Sequence, residues 1–390
     1  MATQGDRQAR GVILAGAPVI NAAVYHRIRF AVLDPVVYLE VPAANGGFHR
    51  VLILRDIERE RARRHARADA VYCPSDLVPT EQLSGDREMA NAQAAVECLR
   101  RHGVQQVTAD RTLPLVYVDV LRRAGMTVEC DLELGVAERR AKDAQEMAHL
   151  QEAQRVTEEV MERACRVIAR ASAGQDGVLR HEGQVLTSER LRAMIDHWLI
   201  DRGYSNLPAI VAGGPQGADC HELGSGELRT GQPIIVDIFP RNRATLYYGD
   251  CTRTVVHGDV PDEVRRMHRA VCQAKQAATQ AVRAGVTGQE VHEAACRALQ
   301  SAGFAVGPAT DDNPAFCGMT HGTGHGVGLE VHEAPLLDHN GPPLVAGDVV
   351  TIEPGLYRKD LGGVRVEDMV AVTDTGAVNL NRLPEGLDWR

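Results

Sequence analysis

Aromatic side chains are scarce, at 4% of 390 residues, so the chain offers no platform on which nucleic-acid bases could stack. A basic excess is missing too: the formal net charge is -9, which argues against a nucleic-acid or anionic-membrane partner. No apolar run approaches the roughly 20 residues of a membrane-spanning helix. The nine cysteines (Cys73, Cys98, Cys130, Cys165, Cys220, Cys251, Cys272, Cys296, Cys317) include no C-x-x-C pair, and their odd number leaves at least one unpaired in a monomer. That usage is expected of a reduced, cytosolic protein rather than a disulfide-built one.

What remains is ordinary globular material, 44% hydrophobic and 24% charged. The chain is about two to three times a typical domain in length, so two domains of unequal size are expected. Residues 1–137 alternate short apolar runs (AVLDPVVYLEV, FHRVLILRD) with polar helical stretches such as RDIERERARRHARA, which suggests a small α/β domain. A polar linker is placed at 138–145, beginning ERRAK, and the larger domain at 146–390. Residues 11–25, GVILAGAPVINAAVY, follow Arg7 and Arg10 as a secretory leader would. Asp6 in the basic region, with Pro18 and Asn21 inside the run, instead favours the first strand or helix of the folded domain.

Beyond Met147, the positions Leu150, Ala153, Val156, Val160, Ala164 and Val167 form a helical stripe ending near Gly174. A second helix is expected with Ser188 as cap, Leu191, Ile195 and Trp198 facing inward, and Gly203 closing it. After Pro261 the order repeats. One helix runs through Val264, Met267, Val271 and Val282 to Gly285, and another opens with the capping box Thr287 to Glu290 and closes at Gly303. Asp237 and Glu353 are 116 residues apart, Asp250 and Glu367 are 117 apart, and His221 and His332 are 111 apart. These offsets point to a duplicated unit, two helices and then a curved antiparallel ribbon, related by a pseudo-twofold axis.

The first ribbon, centred on Arg243 and Ala244, would set Asp237 directly opposite Asp250. The second, centred on Asp360, would set Glu353 against Glu367. Cross-strand Cβ atoms stand about 4.5–5.5 Å apart, close enough for paired carboxylates to share a metal. His325, from HGTGHGVGLEVHE, adds one nitrogen. Four carboxylates gathered in a buried pocket without a cation would repel one another and raise each other's pKa. An oxygen-rich set with one imidazole favours two ions of the Mn(II), Co(II) or Fe(II) type over a structural zinc, with Mn(II) first and catalytic Zn(II) also able to fit. Gly322, Gly324, Gly326 and Gly328 lack the strand-turn-helix context of a phosphate cradle and are expected to let the backbone pack tightly against a metal. His292 has no H-E-x-x-H partner and reads as a surface residue.

The segments VDIFPRNRATLYYGDCTRT, HGTGHGVGLEVHEAP, VVTIEPGLY and GVRVED, in this order, resemble the M24 metallopeptidases, the pita-bread family of methionine aminopeptidase, aminopeptidase P and prolidase. The resemblance covers the chain from about residue 145 onward, while residues 1–137 more loosely resemble the creatinase-type N-terminal domain of the proline-specific branch. It implies an α+β pita-bread catalytic domain behind a smaller α/β domain. It also implies Asp237, Asp250, His325, Glu353 and Glu367 as dinuclear ligands. Glu353 is similar to the family's general base, His332 to a group that stabilises the tetrahedral intermediate, and His221 and His321 to the remaining pocket histidines. Arg365 matches an arginine of the proline-specific enzymes, as a substrate contact or as a salt bridge to a metal carboxylate. The implied activity is hydrolysis of Xaa-Pro dipeptides, with aminopeptidase P activity on longer Xaa-Pro peptides as the alternative and a non-peptidase binding protein as another. Short proline-containing peptides as partners and a homodimer follow from the same resemblance. Ile238 and Phe239 depart from the family's Asp-x-Gly, and the loop to Asp250 is two residues longer than in typical members, which puts bulk near the pocket.

Overall fold

The apolar run that opens the chain is a strand, β1 (Arg10–Gly16), which buries Ile13, Leu14 and Ala15 completely. In this computed structural model, residues 10–43, 46–308, 313 and 315–390 are described, and the chain divides into two units, Met1–Arg139 and Arg140–Arg390. The boundary falls within the stretch that reads as a linker. Asn21 stops the first run by capping α1 (Ala22–Ile28), its side chain accepting the Val24 N–H. With β2 (Val36–Pro42), β3 (Phe48–Ile53), β4 (Ala70–Tyr72), β5 (Gln106–Ala109) and β6 (Thr127–Cys130), the first unit forms a mixed sheet in the order β4-β3-β2-β1-β5-β6. Alternation splits its core in two. Ile13, Val37 and Leu39 pack on Ala92, Ala95 and Leu99 of α2 (Arg87–Arg101), while Leu14, Tyr38 and Leu52 pack on Val24 and Ile28 of α1. Both faces are thus covered by helices, as an α/β layer requires.

The second unit begins with α3 (Ala144–Ala169), opened by a capping box between Asp143 and Glu146. Its stripe is buried from Leu150 to Ala164 as the periodicity predicts, but Val167 is only partly buried and the helix ends at Ala169 rather than near Gly174. The cap of α4 (Ser188–Ile200) is Thr187, not Ser188: the Thr187 hydroxyl accepts the Arg190 N–H, and Ser188 is already the first helical residue. Leu199 completes its inner face, whereas Trp198 is only half-buried beneath the Arg163 guanidinium. Then β7 (Ile210–Gly213), β8 (Pro233–Ile238) and β9 (Cys251–Val256) form an antiparallel sheet in that order. The repeat follows with α5 (Asp262–Ala281) and α6 (Gly288–Ser301), the latter opened by the predicted Thr287–Glu290 capping box. Its strands are β10 (Gly324–Gly326), β11 (Glu333–Leu337), β12 (Val349–Ile352), the hairpin of β13 (Gly355–Arg358) and β14 (Gly362–Arg365), β15 (Asp368–Val372) and β16 (Ala377–Asn379). The order in the second sheet is β11-β10-β12-β15-β16.

The first ribbon corrects the sequence expectation by two residues. Asp237 pairs with Thr252 and Ile238 with Cys251, so Asp250 lies diagonally from Asp237 rather than opposite. The Asn242 side chain accepts the N–H groups of Ala244 and Thr245, which places the turn one residue later than predicted. A slip of two keeps side chains on their original face, so both carboxylates still point the same way. In the second ribbon Gly355 pairs with Arg365 and Ile352 with Asp368, and that register carries Glu353 opposite Glu367 as predicted.

The two ribbons are fastened to each other. Glu367 N–H donates to Thr252 O, while Arg365 N–H donates to the Thr254 hydroxyl, which in turn donates to Arg365 O. Arg253, fully buried in β9, donates to the carbonyls of Thr252 and Glu367 and to Asp368 Oδ1 at 2.9 Å. Lys275 of α5 binds the other Asp368 oxygen. Removing one member of a buried ion network leaves charge without compensation, so Arg253→Met is expected to destabilise this unit by about 3–5 kcal/mol. A lowered urea midpoint checks this; an unchanged midpoint would show that Lys275 and Asn379 together satisfy Asp368.

Candidate metal centre

Asp250 owes its position to a helix. Gly249 lies against α3 so closely that a Cβ there would sit 2.2 Å from Thr157 Oγ1 and 2.8 Å from Ala153 O. Gln154, on the same buried stripe, then grips Asp250 at both backbone groups, accepting its N–H at 2.8 Å and donating to its carbonyl at 2.7 Å. Glycine has a similar purpose around His325. Added Cβ atoms at Gly324 and Gly326 would meet Thr351 O at 2.0 Å and Ala334 O at 2.4 Å. The neighbours they accommodate are therefore adjacent strands, not a metal as the sequence suggested.

Asp250, His325 and Glu367, all buried, bring one ligand atom each within 4.8 Å of one another. His325 Nε2 also lies 3.8 Å from Asp250 Oδ2 and 3.3 Å from Glu353 Oε1. The other ring nitrogen, Nδ1, donates to Gly326 O at 3.1 Å, which leaves Nε2 facing the carboxylates. Such an outer bond fixes the ring of a metal-binding histidine. Asp237 completes the set from β8. Its Oδ2 accepts from Arg365 Nη2 at 2.8 Å, while its Oδ1 is buried with no hydrogen-bond partner. Thr252 Oγ1 donates to Glu367 Oε2 at 2.9 Å, and Thr351 Oγ1 to Glu353 Oε1 at 3.2 Å.

Burial acts on every carboxylate, and charge crowding adds to it most at Asp250 and Glu367. Burial, then the charges of Glu367, Asp237 and Glu353, pushes Asp250 well above the usual carboxyl range. Burial and the charges of Glu353 and Asp237 do the same to Glu367, and burial raises Asp237 against the pull of Arg365. Burial acts upward on Glu353 as well, but the hydrogen bond and charge of His325 hold it down to about 2. Two carboxyls that resist ionisation, one orphaned oxygen and an oriented imidazole form a donor set that divalent cations fit.

These groups line a cavity of about 500 Å³, whose wall also carries apolar side chains including Ile210, Leu223, Phe239 and Leu336. Phe239 does place bulk at the pocket, as the departure from Asp-x-Gly suggested. Glu353 is the most open of the carboxylates, its side chain 19% exposed against 5% for Asp250. His332 faces the cavity with its ring 4.3 Å from that of His325, and His221 lies at the exposed rim. His321 is held at both nitrogens: Nδ1 donates to Gly322 O and Nε2 accepts the Tyr357 hydroxyl, each at 2.7 Å. Arg365 Nη1 donates to that hydroxyl at 2.9 Å, so His321, Tyr357, Arg365 and Asp237 form one chain.

The sequence reading overlooked Gln154, Thr252 and Tyr357. Gln154 carried a usable signal, a polar amide inside the apolar stripe of α3. Arg253 carried another, a charge in the middle of the otherwise uncharged strand CTRTVV. His292 is a correction: it is 3% exposed, not a surface residue, because α6 turns it toward Thr323.

The model of metallopeptidase family M24 matches residues 148–374, more than half of the chain and a stretch that contains every residue of this centre. The chain belongs to metallopeptidase family M24. Among M24 relatives, the Probable dipeptidase PepE of Mycobacterium tuberculosis is 36% identical over 204 residues, 52% of this chain and 51% of that protein. The Xaa-Pro dipeptidase of Pyrococcus furiosus is 30% identical over 231 residues, 57% and 61% of the two chains. The chain thus spans about half to three-fifths of the length of these relatives. The crystal structure of dipeptidase PepE from Mycobacterium ulcerans superposes with a TM-score of 0.72 at 26% identity, over 97% of this chain and 92% of that one. The α+β pita-bread architecture expected of an M24 protein is therefore the architecture found.

A ligand that binds only the folded chain stabilises it, by about 2.7 kcal/mol at a hundredfold excess over Kd. Mn(II) added to chelator-stripped protein is thus expected to raise the thermal unfolding midpoint, with Thr252→Val weakening Mn(II) affinity by about 10–100-fold. Calorimetric titration checks both; absence of heat and of stabilisation would contradict the assignment.

Proposed function

We propose that the chain is a dinuclear-metal exopeptidase that hydrolyses the bond between an N-terminal residue and proline, with Xaa-Pro dipeptides as its first substrates. The observation that carries this reading is the convergence of Asp237, Asp250, Glu353 and Glu367 from two ribbons on His325, at the wall of a largely apolar cavity. Two divalent ions, Mn(II) first and Co(II), Fe(II) or Zn(II) able to fit the same donors, would supply a lowered water pKa and a polarised scissile carbonyl. Glu353, as the ligand most open to the cavity, takes the proton of the attacking water. Desolvation at the cavity wall, then the charge of His325, lowers the His332 pKa, and its ring N–H is placed to donate a hydrogen bond to the developing oxyanion, with His221 at the rim holding the peptide. Arg365 acts through Asp237, and His321 through Tyr357, as positioning residues rather than substrate contacts. Residues 1–137 stand as the creatinase-type domain of the proline-specific branch. Cytoplasmic residence is supported by nine unpaired cysteines, and the homodimer by the family resemblance alone. Among the described residues no helix is long and apolar enough to cross a membrane.

One observation favours the aminopeptidase P reading. Arg365 is the sole arginine or lysine among the described residues lining the cavity, and its donors are spent on Asp237, Tyr357, Thr252 and Cys220 O. A dipeptide's C-terminal carboxylate thus meets no free guanidinium there, whereas a longer peptide would not need one. The names of the relatives weigh toward the dipeptide.

An Xaa-Pro dipeptide and an Xaa-Pro-Xaa tripeptide offered to the Mn(II)-restored protein separate the two. The dipeptide is expected to be cleaved; cleavage of the tripeptide alone would overturn the dipeptidase choice, and cleavage of neither would end the peptidase reading. Glu353→Gln is expected to bind metal yet lose most turnover, roughly the 10²–10⁴-fold that a general base contributes. Full activity would refute its role. Gel filtration at low concentration is expected to give a dimer, and a monomer elution volume would remove that proposal.

A further inference from the structure

Beside the cavity, α6 and the turn after β11 bring together metal-binding side chains for which the peptidase chemistry has no use. His292 is almost fully buried, and its Nδ1 is held by Thr323 Oγ1 at 2.9 Å. That bond aims Nε2 at Cys296 Sγ, 3.4 Å away and one helical turn on, and at Asp338 Oδ1, 3.7 Å away. The His339 ring packs edge-on against His292 at 5.2 Å. One ligand atom each from His292, Asp338 and His339 falls within 4.8 Å of the others.

Metal-ligand bonds of about 2.0–2.3 Å in tetrahedral geometry put neighbouring ligand atoms about 3.3–3.7 Å apart. The His292–Cys296 and His292–Asp338 distances already match that spacing. Cys296 stands outside the three-residue cluster, and Asp338 and His339 lie on the more accessible turn, where side-chain rotation would have to bring them toward it. The Thr323 bond is the outer contact that fixes a ligating imidazole. This donor set, two imidazoles, a thiolate and a carboxylate, is chemically unlike the carboxylate-rich centre and suits zinc or cobalt over manganese.

We propose that His292, Cys296, Asp338 and His339 form a third metal site, selective for a zinc-type ion. Asp338 also lines the large cavity, and Thr323 O accepts the Glu353 N–H at 2.8 Å, so an ion held here borders the wall of the carboxylate centre.

The test uses full-length protein first saturated with Mn(II), then titrated with Co(II), and its readout does not depend on peptidase activity. Wild type is expected to bind cobalt with a thiolate-to-metal charge-transfer band, a signature the carboxylate centre has no thiolate to produce. Cys296→Ser is expected to abolish the band, and Cys220→Ser, which removes the thiol lining the cavity, to retain it. His339→Gln, a change at an exposed position, is expected to weaken cobalt binding by about tenfold or more. Cobalt uptake by wild type without the band, or a band that survives Cys296→Ser, would overturn the proposal. So would unchanged affinity in His339→Gln.

Discussion

Four carboxylates are held in one buried place, and most of the second unit's architecture serves that constraint. Burial alone would force protons onto them, and the upward shifts of Asp250, Glu367 and Asp237 show that pressure directly. Only cations relieve it. Some are built in: Arg365 on Asp237 and, one residue beyond Glu367, Arg253 and Lys275 on Asp368. These neutralise the flanks and leave the centre itself, with the orphaned Asp237 oxygen and the inward-facing His325 Nε2, for divalent ions.

Holding such a set together requires stiffness, which comes from polar groups that are individually modest. The Thr252 and Thr254 hydroxyls and the Arg253 guanidinium knit the edge of the first ribbon to the second, so ligands on separate repeats keep a fixed spacing. Gln154 ties the same assembly to α3 through Asp250, and also donates to Asn381 near the C-terminus. Pre-organisation of this kind is what a metal site needs from its surroundings, because ligand positions within a few tenths of an ångström decide affinity.

Much of this was legible in the sequence, for physical reasons. The helical stripes and the Thr287–Glu290 box are local patterns and largely survive folding, with Val167 and Trp198 only partly buried. The centre of the second ribbon at Asp360 was readable, although Gly362 and Gly363 lie in β14 opposite Arg358 and Tyr357 rather than in the turn. The first was misplaced by two residues, since the turn depends on Asn242 accepting two backbone amides, a choice composition does not reveal. The face of each carboxylate was still right, because a strand's period of two forgives an even slip. His292 was misread because a lone histidine on a helix says nothing of the loop that will cover it. The salt bridge from Arg365 to Asp237 is one of the two readings the sequence left open, and it joins residues 128 positions apart.

The carboxylate cluster is proposed to hold two metal ions. Anomalous scattering from crystals grown with Mn(II) tests it most directly. Two peaks are predicted, both among Asp237, Asp250, Glu353 and Glu367, with one of them beside His325 Nε2. Ordered protein with no anomalous peak among these side chains, at saturating Mn(II), would contradict the account.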